Sequence, residues 1–232
     1  MRAVILAGGR GTRLRPYTTV LPKPLVPVGD RPVLELIIHQ LATCGFVQVD
    51  LCIGHLGELI MAYFADGSHI PDGMSLQYHR EDEPLGTAGA LLAIEGLDET
   101  FIVMNGDIVT DLDFRALVSF HREQEAMLTI ATMEKEVPIT LGVIEHDDHK
   151  VTGYVEKPTL GFSVSMGVYV YEPRVLDLVP SGHFDFPDVV HLLLRQGEPV
   201  VSFPFSGTWF DIGTPGDHER AVEALGLVEE WP

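Results

Sequence analysis

The chain has 232 residues, of which 46% are hydrophobic, and this is enough to bury the core of one domain. Its 34 acidic and 15 basic residues give a formal net charge of −19, which argues against nucleic acid and against an anionic membrane surface as partners. The apolar runs are too short to span a membrane, and the opening "MRAVILAGG" is too short for a signal peptide.

Apolar, β-rich runs alternate with helical patterns through the first half of the chain. The predicted strands are residues 3–6, 48–53, 75–79, 101–104 and 127–132. The helices predicted between them are residues 33–44, 56–65, 87–94 and 114–123. Near-continuous apolar strands that alternate with amphipathic helices indicate an α/β fold. We therefore expect a Rossmann-like, three-layer arrangement, with helices on both faces of a mixed, mostly parallel sheet.

The second half of the chain is richer in β-structure. The stretch "LGVIEHDDHKVTGYVEKP" predicts two short strands around a turn at residues 146–149. A further strand is predicted at residues 166–171, and helices at 185–196 and 215–225. No change in composition marks a boundary between the halves. We therefore expect a single domain over residues 1–232, in which the β-rich part is a small elaboration that forms a second wall of the site.

A basic, glycine-rich loop follows the first predicted strand. Residues 6–24, "LAGGRGTRLRPYTTVLPKP", contain three glycines, four basic residues and no acidic residue. The loop is not a Walker A loop, because no Lys-Ser or Lys-Thr pair follows the glycines, and it is not a dinucleotide fingerprint, because Leu14 replaces the third glycine. Glycines let backbone N–H groups approach an anion, and Arg13 and Lys23 add positive charge. The loop is therefore predicted to hold a polyphosphate at the carboxyl ends of the strands.

Six motifs occur in the same order as in a known family. "GGRGTRLRPYT" and "PKPLVPV" cover residues 8–18 and 22–28. They are followed by "EPLGTAGAL" at 83–91, "NGDIVTDLDF" at 105–114, "EKP" at 156–158 and "WFDIGTP" at 209–215. In these motifs the chain resembles the sugar-1-phosphate nucleotidyltransferases, also called NDP-sugar pyrophosphorylases, and in particular their mannose-1-phosphate guanylyltransferase-like members.

The resemblance implies an enzyme that makes an NDP-sugar and pyrophosphate from an NTP and a sugar 1-phosphate, with Mg²⁺ as cofactor. The residues that it assigns to the nucleotide are Leu6, Ala7, Gly8, Gly9, Gly11, Thr12, Arg13, Gln77, Pro84, Gly86, Thr87 and Asp107. Those assigned to the sugar phosphate are Gly142, Glu156, Lys157, Ser165, Gly167 and Asp211. The catalytic residues are Arg13, Lys23, Asp107 and Lys157, and the metal ligands are Asp107 and Asp211. Residues 1–135 would mainly bind the nucleotide, and residues 136–232 mainly the sugar phosphate.

Two departures from the family pattern leave the sugar open, and the base is open because it depends on hydrogen bonds near Leu6, Gln77 and Gly86 that spacing does not reveal. Leu141 stands before Gly142 where many members have Tyr, and Ser165 stands where many have Asn. The first choice is GTP with mannose 1-phosphate or a related heptose or hexose 1-phosphate. Uridylyl, thymidylyl or cytidylyl transfer to another sugar 1-phosphate is the alternative.

Two functions of other classes are less consistent with the sequence. A non-catalytic relative that senses nucleotide sugars would be expected to lack Arg13, Lys23 or one of the two aspartates, and all four are present. A cytidylyltransferase acting on an alcohol phosphate would leave "EKP" and "WFDIGTP" without a role.

The remaining expectations concern the setting of the protein. Cys44 and Cys52 lie in apolar segments, so we expect a reduced, buried pair and a cytoplasmic protein. His146 and His149 suit a hairpin turn, and no zinc site is expected there. Asp185 is expected to cap the following helix. The resemblance points to a homodimer, and because the sequence ends soon after "WFDIGTP" we expect no added repeat domain.

Overall fold

A seven-stranded sheet forms the centre of the computed structural model, which describes residues 1–81 and 83–226. The strands are β1 (Arg2–Ala7), β2 (Pro27–Val28), β3 (Arg31–Pro32), β4 (Gln48–Ile53), β5 (Ser75–Arg80), β6 (Phe101–Asn105), β7 (Ile108–Thr110), β8 (Leu128–Pro138), β9 (Val143–Asp147), β10 (Lys150–Val155), β11 (Thr159–Tyr171), β12 (Val200–Pro204) and β13 (Trp209–Asp211). The helices are α1 (Val33–Thr43), α2 (Gly57–Tyr63), α3 (Gly86–Gly89), α4 (Phe114–Glu123), α5 (Phe186–Gln196) and α6 (Pro215–Gly226). Residues 227–232 of the expected domain lie outside the described residues.

The strand order in the sheet is β12-β8-β11-β6-β1-β4-β5. Strands β6, β1, β4 and β5 are parallel, and Ile5 in β1 lies in register with Leu51 in β4 and Met104 in β6. Strand β11 runs antiparallel between β6 and β8, and β12 is parallel to β8. The expected mixed, mostly parallel sheet is therefore confirmed, and its parallel half places the carboxyl ends of four strands at one edge.

Helices cover both faces of this sheet. Alternate residues of β1 are therefore buried on opposite sides, each against the helices of one face. Ala3 and Ile5 belong to one core cluster, which also receives buried side chains of α1, α2, α4 and α6. Val4 belongs to a second cluster, with buried side chains of α3 and α5. Ala3, Val4 and Ile5 are all completely buried, so the near-continuous apolar run of β1 is what a sheet covered on both faces requires.

Strands β8 and β11 extend beyond the sheet and form what we call the arm, residues 133–164, which also contains the β9–β10 hairpin. In the arm Val137 lies opposite Leu160, and Lys135 lies opposite Phe162. The turn between β9 and β10 falls within the predicted residues 146–149. The strands predicted at 127–132 and 166–171 are only the inner parts of β8 and β11. The outer parts are mostly exposed. Their sequence therefore lacks the continuous apolar run that predicted the inner parts.

Several further elements differ from the sequence prediction, and among them the strands β2, β3, β7 and β13, of two or three residues each, were not predicted. The helix predicted at residues 87–94 is a single α-helical turn, α3, followed by a 3₁₀ turn over Ala90–Ala93. It ends early because the chain becomes extended at Ile94 and then turns at Gly96, whose φ is 71°. Strand β12 was not predicted, since it is a five-residue edge strand that ends in proline.

The two cysteines are free and buried, as expected. Burial raises the pKa of the Cys52 thiol to about 12, so this thiol stays protonated and unreactive. Within residues 1–81 and 83–226, no helix is both long enough and apolar enough to cross a lipid bilayer.

Candidate active site

A cavity of about 600 Å³, which we call cavity A, lies at the carboxyl ends of β1, β4, β5 and β6. The predicted site residues that line it are Leu6, Gly8, Gly9, Pro84, Gly86, Thr87 and Asp107. Five residues that the sequence did not single out complete the lining: Arg10, Gly54, His55, Glu81 and Asn105. Cavity A is therefore built mainly from the first half of the chain.

Gly11 turns the glycine loop back over Lys23. The φ of Gly11 is 56°, and the Thr18 hydroxyl donates a hydrogen bond of 2.8 Å to its carbonyl oxygen. A Cβ at this position would lie only 2.9 Å from the Thr18 side chain and 3.1 Å from Lys23 Cβ, so glycine is required here. In the part of the chain that the structure describes, the N–H groups of Gly9, Arg10 and Gly11 donate to no protein acceptor. They are free to bind an anion.

Two carboxylates and one ammonium group meet beside this loop. Strand β13 pairs with β7, and the N–H of Ile212 donates to the carbonyl of Asp107 at 3.0 Å. These backbone contacts bring Asp211 next to Asp107. The Lys23 ammonium forms an ion pair with Asp107 and lies 3.7 Å from Asp211 Oδ1. Thus Lys23, Asp107 and Asp211, which are far apart in sequence, form one cluster.

The two carboxylates of this cluster fit a divalent cation. Their Oδ1 atoms are buried, and neither has a hydrogen-bond partner among the described residues. Burial raises the pKa of Asp211, and the negative charge of Asp107 raises it further. Mg²⁺ commonly binds one or two carboxylates and completes its coordination with phosphate oxygens and water. Asp107 and Asp211 offer that donor set, and no larger group of acidic, His or Cys side chains suited to a metal occurs in the described residues.

Arg13 lies on the Asp211 side of the same cluster. Its Nη2 atom is 3.6 Å from the position that a Cβ on Gly213 would occupy, and the same position is 3.5 Å from Asp211 Oδ1. The positive charge of Arg13 opposes the rise in the Asp211 pKa. Arg13 therefore places a second cation beside the two carboxylates.

A second cavity of about 530 Å³, cavity B, adjoins cavity A. Three predicted residues line it, Ser165, Gly167 and Asp211, together with Thr87 and Asn105, which line both cavities. The residues not predicted are Ile108, Met166, Tyr169, Asp185, Phe186, Pro187 and Trp209. Because Asp107 lines cavity A and Asp211 lines cavity B, the carboxylate pair lies where the two cavities meet.

The wall of cavity B combines hydroxyl groups with an aromatic surface. Ser165 Oγ donates to the Tyr169 hydroxyl at 3.2 Å, and the Tyr169 ring stacks on Phe186 with 3.7 Å between ring centroids. Gly167 has a φ of 72°, and a Cβ there would lie 2.6 Å from Asn105 Nδ2. Such a wall suits a polar ring compound such as a sugar, since it offers both hydrogen bonds and an apolar contact.

Asp185 joins the two halves of the site. It occupies the N-cap position of α5, as expected, and its Oδ1 accepts hydrogen bonds from the backbone N–H of Thr87 at 3.0 Å and from the Thr87 hydroxyl at 3.2 Å. The Thr87 hydroxyl in turn accepts from the N–H of Phe186 at 2.7 Å. The "PLGT" segment of cavity A and the start of α5 in cavity B are thereby fixed to each other.

Five predicted residues belong to the loop and its surroundings without lining either cavity: Ala7, Gly11, Thr12, Arg13 and Lys23. Gln77 lies elsewhere. It is an exposed residue within β5, and the carboxyl end of that strand is Arg80. Glu81, directly after the strand, lines cavity A instead. Its carboxylate accepts a hydrogen bond from the N–H of Leu85 at 3.1 Å.

The remaining predicted residues lie in or beside the arm, outside both cavities. Glu156 and Lys157 form an ion pair of 3.7 Å with exposed side chains. Gly142 packs against the hydroxyl of Tyr154, which also donates to Glu156 at 2.5 Å. The structure therefore places Gly142, Glu156 and Lys157 close to one another, but it does not bring them into the lining of cavity B.

Sequence reasoning missed several lining residues for identifiable reasons. Asn105 and Trp209 are the first residues of two motifs that were quoted, so a signal was present for both. Gly54 and Glu81 directly follow the parallel strands β4 and β5, and the carboxyl ends of such strands are where open α/β sheets bind ligands. Tyr169 lies within β11, in a part of the strand that carries no motif, and nothing in the sequence indicates its stacking partner Phe186.

Comparison with known proteins identifies the family. The model of the family described as nucleotidyl transferase matches residues 2–226. The chain belongs to this family. It is 35% identical to a UTP–glucose-1-phosphate uridylyltransferase of Synechocystis sp., over 97% of the chain and 63% of the relative. It is 36% identical to a mannose-1-phosphate guanyltransferase of Candida albicans, over 94% of the chain and 62% of the relative.

A solved structure supports the same assignment. The fold matches HddC from Yersinia pseudotuberculosis complexed with GMP-PN with a TM-score of 0.74 and 26% identity, over 97% of the chain and 99% of HddC. The resemblance to sugar-1-phosphate nucleotidyltransferases is thereby confirmed. The chain spans slightly less than two thirds of the length of the two curated nucleotidyltransferases that it matches.

Lys23→Met is expected to destabilise the protein by about 1–2 kcal/mol in EDTA, because two neighbouring carboxylates lose the cation that they share. Mg²⁺ should restore more stability to the variant than to the wild type, since it supplies the missing positive charge. Thermal unfolding with EDTA and with Mg²⁺ measures both effects. Lys135→Met, at an exposed position of the arm, is the control. Equal melting temperatures for the two variants in EDTA would contradict the role given to Lys23.

Proposed function

We propose that this chain is a sugar-1-phosphate nucleotidyltransferase, which converts an NTP and a sugar 1-phosphate into an NDP-sugar and pyrophosphate. One observation carries the proposal: the cationic glycine loop and the Asp107–Asp211 pair meet where cavities A and B join. Two joined cavities beside a phosphate-binding loop suit a reaction between two phosphate-bearing substrates.

The two substrates are assigned to the two cavities. The triphosphate of the NTP lies against the free N–H groups of the glycine loop, and its base lies toward Leu6, Pro84 and Gly86 in cavity A. The sugar lies in cavity B, against the wall that contains Ser165 and Gly167. We further propose that Glu156 and Lys157 approach the sugar phosphate from the arm, with Glu156 toward the sugar hydroxyls and Lys157 toward the phosphate.

Charge neutralisation and alignment dominate the proposed reaction. An oxygen of the sugar phosphate attacks the α-phosphorus, and the bond to pyrophosphate breaks on the opposite side. Both reactants are anions, so their repulsion and relative position form the main barrier, and no proton transfer is needed. Lys23 neutralises phosphate charge near the reacting centre, and Arg13 stabilises the charge that grows on the departing pyrophosphate.

Mg²⁺ is the proposed cofactor. Asp107 and Asp211 would hold it, because their Oδ1 atoms are buried and unpartnered within the described residues. When bound, the cation neutralises phosphate charge at the reacting centre. Before the cation binds, the positive charges of Lys23 and Arg13 counter the two carboxylates.

GTP and mannose 1-phosphate, or a related heptose or hexose 1-phosphate, are the first choice of substrates. The name of the Candida albicans relative and the GMP-PN complex of HddC support a guanine nucleotide. The Synechocystis relative is named for uridylyl transfer to glucose 1-phosphate at nearly the same identity. Uridylyl, thymidylyl or cytidylyl transfer is therefore the alternative.

The proposed setting is a homodimer in the cytoplasm. The free, buried thiols of Cys44 and Cys52 support a reducing compartment. Exposed apolar side chains on the arm, including Ile144, Tyr154 and Phe162, support contact with a second copy. Size-exclusion chromatography with light scattering tests the oligomeric state.

Turnover is expected for GTP with mannose 1-phosphate or a related sugar 1-phosphate, and only with a divalent cation. The measurement is pyrophosphate release from each of GTP, UTP, dTTP and CTP with several sugar 1-phosphates, in Mg²⁺ and in EDTA. Release with another NTP would correct the choice of base and leave the reaction class intact. No release from any pair in Mg²⁺, or full activity in EDTA, would contradict the proposal.

Arg13→Ala is expected to lower kcat by about 10²–10³, because it removes a contact that strengthens as pyrophosphate departs. Arg122→Ala, at an exposed position of α4, removes the same charge away from the site and should leave kcat unchanged. Steady-state kinetics measures the effect, and circular dichroism checks that both variants fold. A similar kcat for both variants would show that Arg13 has no part in the chemistry.

Lys157→Ala is expected to weaken binding of the sugar 1-phosphate by about tenfold or more, since it removes a charge-assisted contact to the phosphate. Binding of the NTP to the free protein should not change, because its phosphates lie on the glycine loop. Calorimetric titration of GTP and of mannose 1-phosphate measures the two affinities separately. Lys150→Ala, in the exposed β9–β10 hairpin, is the control. A loss of NTP affinity with normal sugar phosphate binding would reverse the assignment of the arm.

A further inference from the structure

A third cavity adjoins cavity A at the glycine loop. Cavity C has a volume of about 550 Å³ and is lined by Arg10, Arg15, Thr18, Thr19 and His55. Arg10 and His55 also line cavity A, so the two cavities meet at these two side chains. No side chain of cavity C takes part in the chemistry proposed above.

The lining of cavity C is basic in a strongly acidic protein. The whole chain has a formal net charge of −19, yet two arginines and one histidine line cavity C, and none of the described residues in its lining is acidic. In residues 1–81 and 83–226, neither Arg10 nor Arg15 forms an ion pair with a carboxylate. Two unpaired guanidinium groups in a cleft concentrate anions there, and their planar donors match phosphate oxygens in pairs.

The fold of the loop separates the arginines that serve the reacting centre from those that line cavity C. Two 3₁₀ turns, Thr12–Leu14 and Tyr17–Thr19, bend the chain on either side of Arg15. Arg13 lies beside the Asp211 carboxylate, whereas Arg15 lines cavity C. Thr18 is buried and its hydroxyl is bonded to Gly11 in the anion-binding turn. The floor of cavity C and the phosphate-binding turn are therefore parts of one folded unit.

The chemistry of the lining selects a small phosphoanion over a nucleoside or a sugar. The residues described around cavity C include no aliphatic side chain and no Phe, Tyr or Trp, so the side chains that face an occupant there are mainly hydrogen-bond donors. Its donors are guanidinium groups, an imidazole and the exposed hydroxyl of Thr19. These groups suit the oxygens of a phosphate or a diphosphate.

We propose that cavity C is an exit site for inorganic pyrophosphate. Pyrophosphate formed in cavity A would pass Arg10 and His55 and bind against Arg15 before it reaches solvent, and in the reverse reaction it would enter by the same path. No bond forms or breaks in cavity C. The identity of the anion rests on the proposed function, whereas the binding of a phosphoanion rests on the charge and shape of the cavity alone.

Calorimetric titration tests the proposal on the full chain. Inorganic pyrophosphate, inorganic phosphate and the β,γ-imido analogue of GTP are titrated into the wild type, Arg15→Ala and Arg122→Ala. Arg15→Ala should bind pyrophosphate about tenfold more weakly than the wild type, the loss expected for one charge-assisted contact that is partly exposed. Its affinity for the GTP analogue should stay within about twofold of the wild type, because the nucleotide lies in cavity A. Arg122→Ala should match the wild type for all three anions.

Four results would overturn or support the site in distinct ways. Equal pyrophosphate affinity for Arg15→Ala and Arg122→Ala would overturn it. An equal loss of affinity for pyrophosphate and for the GTP analogue would also overturn it, since cavity C would then hold the terminal phosphate of the bound nucleotide. If no NTP is turned over but pyrophosphate binding still depends on Arg15, the proposed function fails and the phosphoanion site stands. Weaker binding of phosphate than of pyrophosphate would support a diphosphate as the occupant.

Discussion

The contact of one ammonium group with two carboxylates holds the candidate site together. Asp107 follows the central strand β6, Asp211 ends β13, and Lys23 comes from the loop after β1. The two carboxylates repel each other, and burial strengthens the repulsion, so a cation must lie between them or one must take up a proton. Through this cluster the phosphate-binding loop, the centre of the sheet and the last part of the described chain meet at one point.

The fold could be predicted from the sequence where burial leaves a periodic pattern. Strand β1 was found because it is buried on both faces, and α4 because its apolar residues recur at helical spacing. The outer parts of β8 and β11 could not be found in this way, because both faces of the arm meet solvent over most of their area. Such strands are specified by their pairing with each other, which a single sequence does not display.

The candidate site was predicted to different extents in its two halves. The loop residues and the two aspartates lie in motifs whose chemistry can be read directly, and the structure brings Lys23, Asp107 and Asp211 together. Cavity B depends instead on contacts between distant segments, such as Tyr169 with Phe186. No local pattern encodes these contacts. Gln77 shows a related difficulty, since a strand can be identified correctly while the residue directly after its carboxyl end, Glu81, is overlooked.

The close packing of the "PLGT" segment against the chain before α5 limits how this protein can be re-engineered. A Cβ on Gly86 would lie 2.6 Å from the carbonyl oxygen of Phe184, and one on Gly89 would collide with the carbonyl of Gly182. The two segments also share the Thr87–Asp185 hydrogen bonds. A chimaera that takes residues 182–187 from a relative with another sugar preference must therefore take residues 84–89 from the same donor. In this domain the unit of exchange is a pair of segments from opposite halves of the sequence.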